Sequence, residues 1–220
     1  MLGKLIRFIL ISYRFEGILG GGEGMIRTHL LVFFMVIILG GYGFFNNLAI
    51  AAPLVHIGAS SYTVNGQSSL ILSSEMDLKG PVGTDGNRHP AKTKWDLQWR
   101  FKHKEQNGQC GVESVQVSLG ITHIKPVWRD KVGASESLVS RWLSFEEALS
   151  KIQNHHVDLA IEAATAIEDN VLDVVPQKSC ADLNVVVEGI VRNIKEKYRT
   201  LKTDYEEATN FGRHNGLTLL

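Results

Sequence analysis

The sequence predicts an α+β domain: a small antiparallel sheet, or hairpin, followed by two long helices. Three observations predict it. Trp95 to Lys102 alternates strictly between apolar and polar residues, the period-two signature of a half-buried strand. Asn107-Gly108 separates that run from a second alternation at Val115, Val117, Leu119 and Ile121, and two such runs around Asn-Gly make a hairpin. From Leu138 onward the apolar residues recur at steps of three and four, the spacing of helices. Strands first and helices second is an α+β order.

Ahead of the hairpin, Ser60 to Val64 reads as a short strand with Asn65-Gly66 as its turn. Gln67 to Leu78 carries Leu70, Ile71, Met76 and Leu78 at helical spacing and is stopped by Gly80-Pro81. Val82 to Lys92 is rich in Gly, Asp, Asn and Pro and reads as a loop. In the hairpin, Trp95, Leu97, Trp99 and Phe101 share one face, and Pro126 is expected to end the sheet. The stripe Leu138, Trp142, Phe145, Leu149, Ile152, His156, Leu159, Ala163, Ile167 predicts one long helix ending before Pro176. Ser179, with Asp182 three residues on, offers an N-cap to a second helix. Its stripe runs from Leu183 through Val187, Ile190, Ile194, Tyr198 and Leu201 to Tyr205, with Gly212 as the stop.

Residues 1–51 carry a different signal. Leu30 to Leu39 is an apolar run preceded by Arg27 and His29, and Ala49 and Ala51 form an A-x-A site before Ala52. This is the pattern of an export signal cleaved between Ala51 and Ala52. The run is shorter than the roughly 20 apolar residues of a membrane span. Extending it through Phe44, Phe45 and Leu48 gives the alternative, an uncleaved anchor. Met25 offers a more conventional start, which would make residues 1–24 an over-extended one. On either reading residues 52–220 form a single domain in an oxidising compartment, periplasmic or secreted, and membrane contact is expected only if the signal is uncleaved.

Composition narrows the partners. Lys+Arg and Asp+Glu both count 23, so nothing argues for a nucleic-acid or acidic-lipid partner. Cys110 and Cys180 lie too far apart for a metal-binding pair. In an exported chain they read as a disulfide; the alternative is two separate buried thiols.

A longer pattern then emerges. Tyr62-Thr-Val-Asn-Gly66, Gly80-Pro81, Thr93-Lys-Trp95-Asp-Leu-Gln-Trp99-Arg-Phe101 and Cys110 come in order. Pro126-Val-Trp128, Trp142, His156-Val157, Ser179-Cys180 and Tyr205-x-x-x-Thr209-x-x-Gly212-x-x-x-Gly216 follow. The set, from about Ile57 to Gly216, resembles domain-of-unknown-function family 922, exported bacterial proteins described as predicted zinc-dependent proteases. The resemblance implies a zincin-like fold and an H-E-x-x-H helix, whose two histidines grip one zinc while the Glu activates a zinc-bound water.

In this chain that motif is degenerate. The aligned stretch is Ile152-Gln153-Asn154-His155-His156. Ile152 stands where the resemblance implies the first ligand, Gln153 where it implies the base, and His156 is the surviving metal position. Phe211 falls where a further family histidine is implied. Ile and Phe cannot ligate zinc, and an amide cannot take a proton from water. His156 shares the apolar stripe and reads as a hydrogen-bonded core histidine, with a metal ligand as the alternative.

No other constellation replaces the motif. His155, Asp158 and Glu162 share a helix face that reads as solvated, with a weak metal site as the alternative. His214 is a candidate displaced ligand, while His56, His89, His103 and His123 are scattered over strands and loops. Neither G-x-S-x-G nor G-x-x-x-x-G-K occurs. No cofactor is expected, and no catalytic residue is assigned. Two functions follow: a non-catalytic envelope protein that binds an unknown peptide or protein in the old cleft, or a zinc metallopeptidase with non-standard ligands.

Overall fold

The alternating runs pair as their pattern predicts. A computed structural model describes residues 52–220; residues 1–51, which carry the expected signal and the Ala51 side of its cleavage site, lie outside the described residues. Strands β1 (Leu54–Val64), β2 (Lys92–Gln106) and β3 (Gln109–Trp128) are accompanied by helices α1 (Ser69–Lys79), α2 (Glu136–Leu172) and α3 (Cys180–Ala208). β2 and β3 are antiparallel, with Trp95 opposite Ile121 and Trp99 opposite Val117. Their turn puts Asn107 at φ 54° and Gly108 at φ 73°, the doubly left-handed geometry that favours Asn-Gly.

The sheet order is β1-β3-β2, and β1 joins β3 in parallel, with Leu54 opposite Ser118 and Val64 opposite Trp128. The sheet is therefore mixed, and its first strand starts well before the expected Ser60. Leu54, Val55 and Ile57 are exposed, so this part of β1 lacks the one-sided burial that pattern reading depends on. Pro126 does not end the sheet: it pairs with Tyr62, and β3 runs on to Trp128. The β2 ladder stops at Ile124, so Pro126 sits where β3 has one neighbour and a missing N–H is tolerated.

Each helix starts on a serine. Ser68, Ser135 and Ser179 accept from Ile71, Leu138 and Asp182 backbone N–H groups, satisfying donors that the first turn leaves orphaned. α2 is a single 37-residue helix, about 55 Å long at 1.5 Å per residue. Of its expected stripe, every residue but Leu159 is buried.

The long helix spans two packed clusters. Toward its C-terminal end, Ala160, Ala164, Ile167 and Val171 meet Val115 to Ile121 of β3 and Leu183, Val187 and Val191 of α3. Toward its N-terminal end, Leu138, Trp142, Phe145 and Ile152 meet Trp128, Val64, Leu72 and Met76 of α1, and Leu217 and Leu219 of the C-terminus. The first cluster is clasped by a Cys110–Cys180 disulfide, which ties the hairpin to the start of α3. Among the described residues no helix is long and apolar enough to cross a membrane.

Candidate functional site

The two clusters meet at the middle of α2, and a cleft opens there. Ile152, Gln153 and His156 line it from α2, Thr93 from β2, Tyr205, Glu206 and Thr209 from the end of α3, and Phe211 and Gly212 from the turn beyond. Helical periodicity explains the first three: positions i, i+1 and i+4 face one side. Ile152, Gln153 and Phe211, which stand at the degenerate positions, and His156, the surviving one, thus come together in space.

The turn beyond α3 is unusual. Asn210 and Phe211 hold φ of 48° and 53°, and Gly212 follows at 87°. A bulky residue in the left-handed region is uncommon and costs energy. The surrounding bonds fix it: Phe211 N–H donates to the Glu206 carbonyl at 2.6 Å, and Gly212 N–H to the Thr209 hydroxyl at 3.1 Å. The left-handed φ at 212 favours glycine, and an added Cβ would also lie 2.4 Å from Ile152 Cδ1. The helix stops earlier than the expected Gly212, at Ala208 with Thr209 as its C-cap, and Gly212 closes the turn four residues beyond its end.

His156 is buried but not hydrogen-bonded in the way its sequence context suggests. Its Nε2 lies 3.9 Å from Glu206 Oε1, beyond hydrogen-bond range, and its Nδ1 has no partner. Burial above all, then the Lys202 ammonium and the His155 and His123 imidazoles, lowers its pKa to about 3. A true His–Glu ion pair would do the opposite, so His156 is neutral here and Glu206 takes its counter-charge elsewhere. That counter-charge is Lys202, whose Nζ bonds Glu206 Oε1, while Thr84 donates to Oε2 at 3.3 Å.

Aromatic contacts seal the rim. The His89 ring stacks on Phe211 with centroids 3.8 Å apart and bonds Asp85 at 2.9 Å. His155 lies against Tyr205 with its ring tilted by 31° and the centroids also 3.8 Å apart. His123 bonds Thr93 Oγ1 at 3.1 Å. Five buried side-chain N or O atoms among the described residues lack a partner. Three of them, on His89, Gln153 and His156, belong to this cleft or to the ring that closes it. Buried polar groups without partners are rare and concentrate where function or strain is stored.

The other candidate residues fall elsewhere. Asp158 and Glu162 are exposed, and His155, turned to Tyr205, does not join them in a cluster. His214 is exposed, with Nδ1 3.3 Å from the Ala208 carbonyl, outside the cleft. Among the described residues, one group of three His, Cys, Asp or Glu side chains could converge on an ion, His103, Cys110 and Cys180, and its two sulfurs are bonded to each other. His89 and His123, which read as scattered in the sequence, and Glu206 and Lys202, which carried no signal there, come together around this cleft. The two histidines sit outside any helical stripe, and Lys202 and Glu206 differ from other exposed-face charges only through tertiary contact.

Together these features define an α+β domain in which one long helix holds a buried histidine against a left-handed C-terminal turn. The chain belongs to the family described as Bacterial protein of unknown function (DUF922), whose profile matches residues 59–214. Comparison with curated proteins and with solved structures finds no match.

Proposed function

We propose that this is an exported, non-catalytic member of its family, which binds a peptide or protein at the surface around the cleft rather than performing zinc-peptidase chemistry within it. The observation that carries the reading is the Lys202–Glu206–His156 arrangement. Zinc is the metal that the sequence resemblance implies, and the donor set does not fit it. The carboxylate nearest His156 is already neutralised by an ammonium, which would repel a divalent cation. Ile152 and Phe211 present carbon where ligands would be needed, and a catalytic zinc takes three protein ligands. The space left is about 30 Å³, room for about one or two waters. Gln153 cannot serve as a base.

Export is supported by the apolar run before Ala52 and by the disulfide, since such bonds persist in oxidising compartments. A second reading, a zinc peptidase with non-standard ligands, draws on the unpartnered His156 Nδ1. Two measurements test the proposal. Protein from the envelope of an expressing Gram-negative host should have an intact mass beginning at Ala52, and one retaining Phe33 to Phe45 would mean an anchor. Unstructured peptide pools incubated with the protein and added zinc should stay intact. Cleavage that a chelator abolishes would establish the second reading.

A further inference from the structure

A groove beside the cleft has a charge that the chain as a whole lacks. It runs between β2 and α3 and encloses about 510 Å³. Lys92, Lys94, Lys195, Arg199 and Lys202 line it with one acid, Asp96. Arg199 is paired with Glu196 and Lys202 with Glu206, which leaves Lys92, Lys94 and Lys195 without a carboxylate partner among the described residues, in a chain whose charges balance. Trp95, Leu97 and Tyr198 give it an apolar floor, and past Trp99 it continues along Glu188, Arg192 and Glu196, where its charge is balanced. Thr93 and Lys92 line both groove and cleft, so the two are contiguous.

One wall is an unpaired strand edge. β2 is the outer strand of the sheet, bonded to β3 alone among the described strands. In an antiparallel ladder the N–H and C=O of a residue point the same way, and the direction alternates along the strand. Lys195 Nζ donates to the Leu97 carbonyl at 3.3 Å, which fixes Leu97 as facing the groove. The backbone groups of Thr93, Trp95 and Trp99 then face it too. Such an edge is a template for another strand, and here the lysine partly covers it. Trp95 also contributes a buried indole N–H without a partner.

We propose that this groove binds an extended acidic peptide, which adds to the free edge of β2 and sets its carboxylates against Lys94 and Lys195. Strand addition supplies affinity through backbone bonds, and alternate side chains supply selectivity. The alternating donors and acceptors from Thr93 to Trp99 match a peptide backbone over about 23 Å, and the lysines select its charge. On binding, Lys195 leaves the Leu97 carbonyl to a peptide N–H and turns to a carboxylate. The proposal rests on the binding role argued above and names the class of partner.

The test titrates the full-length protein with an alternating Glu-Val peptide of about eight residues, cut to that edge, and with its Lys-Val counterpart. The Glu-Val peptide should bind and slow amide exchange at Trp95, Leu97 and Trp99. Its affinity should fall at least tenfold in about 1 M salt, where the screening length is about 3 Å. Lys94→Glu with Lys195→Glu should weaken it by roughly tenfold or more; Lys94→Glu alone, exposed on the strand, serves if the double variant misfolds. Equal binding of both peptides, binding without protection of β2, preference for an acidic polysaccharide such as polygalacturonate, or no binding would overturn the assignment. Cleavage of a peptide that protects β2 would support the groove and sink the non-catalytic reading. An intact peptide that never protects β2 would do the reverse.

Discussion

The two ends of helix α2 bear the same kind of apolar stripe and have been put to different uses. The C-terminal half lies on the sheet, packs alanines and branched residues against β3, and is clasped by a disulfide. Among the described residues it carries one buried unpartnered polar side chain, Glu168, whose carboxyl pKa is raised by burial and then by Asp169. The N-terminal half leads into the cleft, where three unpartnered polar groups and three consecutive left-handed residues gather within reach of His156. One half is a platform and the other carries the stored cost. Costs of this kind persist where surrounding structure enforces them, and they cluster at functional sites.

Breaking the clasp should have the largest effect. Cys110→Ser with Cys180→Ser opens a 70-residue separation, which the chain-entropy account values at about 4 kcal/mol. Chemical denaturation of the non-reduced wild type and the double variant measures it. A difference under about 1 kcal/mol would mean that the platform is held by packing alone. The cleft should be less sensitive but not indifferent. Gly212→Ala forces a Cβ into left-handed backbone and against Ile152 Cδ1, and should cost about 2 to 3 kcal/mol. An unchanged midpoint would show that Ile152 yields and that the turn is not under constraint.

Acid should separate the halves further. His156 has a folded pKa of about 3 against about 6.5 unfolded. Between those values the unfolded chain binds the extra proton, so stability is full above about pH 6.5 and falls as pH drops toward 3. The slope approaches about 1.4 kcal/mol per pH unit, a loss of about 2 kcal/mol by pH 5. The stability difference between the wild type and His156→Phe should shift against the wild type by that amount as pH falls through that window. Parallel curves would mean that His156 is accessible and titrates normally.

How much of this was legible in sequence depended on burial. The α2 stripe could be read almost residue by residue because one face meets the core along its whole length. The hairpin was legible because Asn107-Gly108 demands its turn and Trp95 to Phe101 meets the helices on one side. The parallel pairing of β1 was not, since register between distant strands leaves no periodic mark and Leu54 to Ile57 is exposed. At the cleft, the spacing of Ile152, Gln153 and His156 was readable on one helix. The approach of Lys202 and Glu206 was not, because i,i+4 charge pairs on a helix look alike whether they face solvent or a neighbour. The zinc-protease reading came from resemblance, and the family description assigns no activity.

The central claim is that the His156 cleft holds an ammonium–carboxylate pair and apolar side chains where a metal centre would need ligands. Elemental analysis of the wild type beside the triple variant Ile152→His, Gln153→Glu, Phe211→His tests it most directly. These three positions and His156 line one cleft, so restoring ligands there should give a zinc-binding variant beside a zinc-free wild type. The variant should also be less stable without metal, having exchanged apolar contacts for polar groups. One tightly held zinc per wild-type chain would contradict the account.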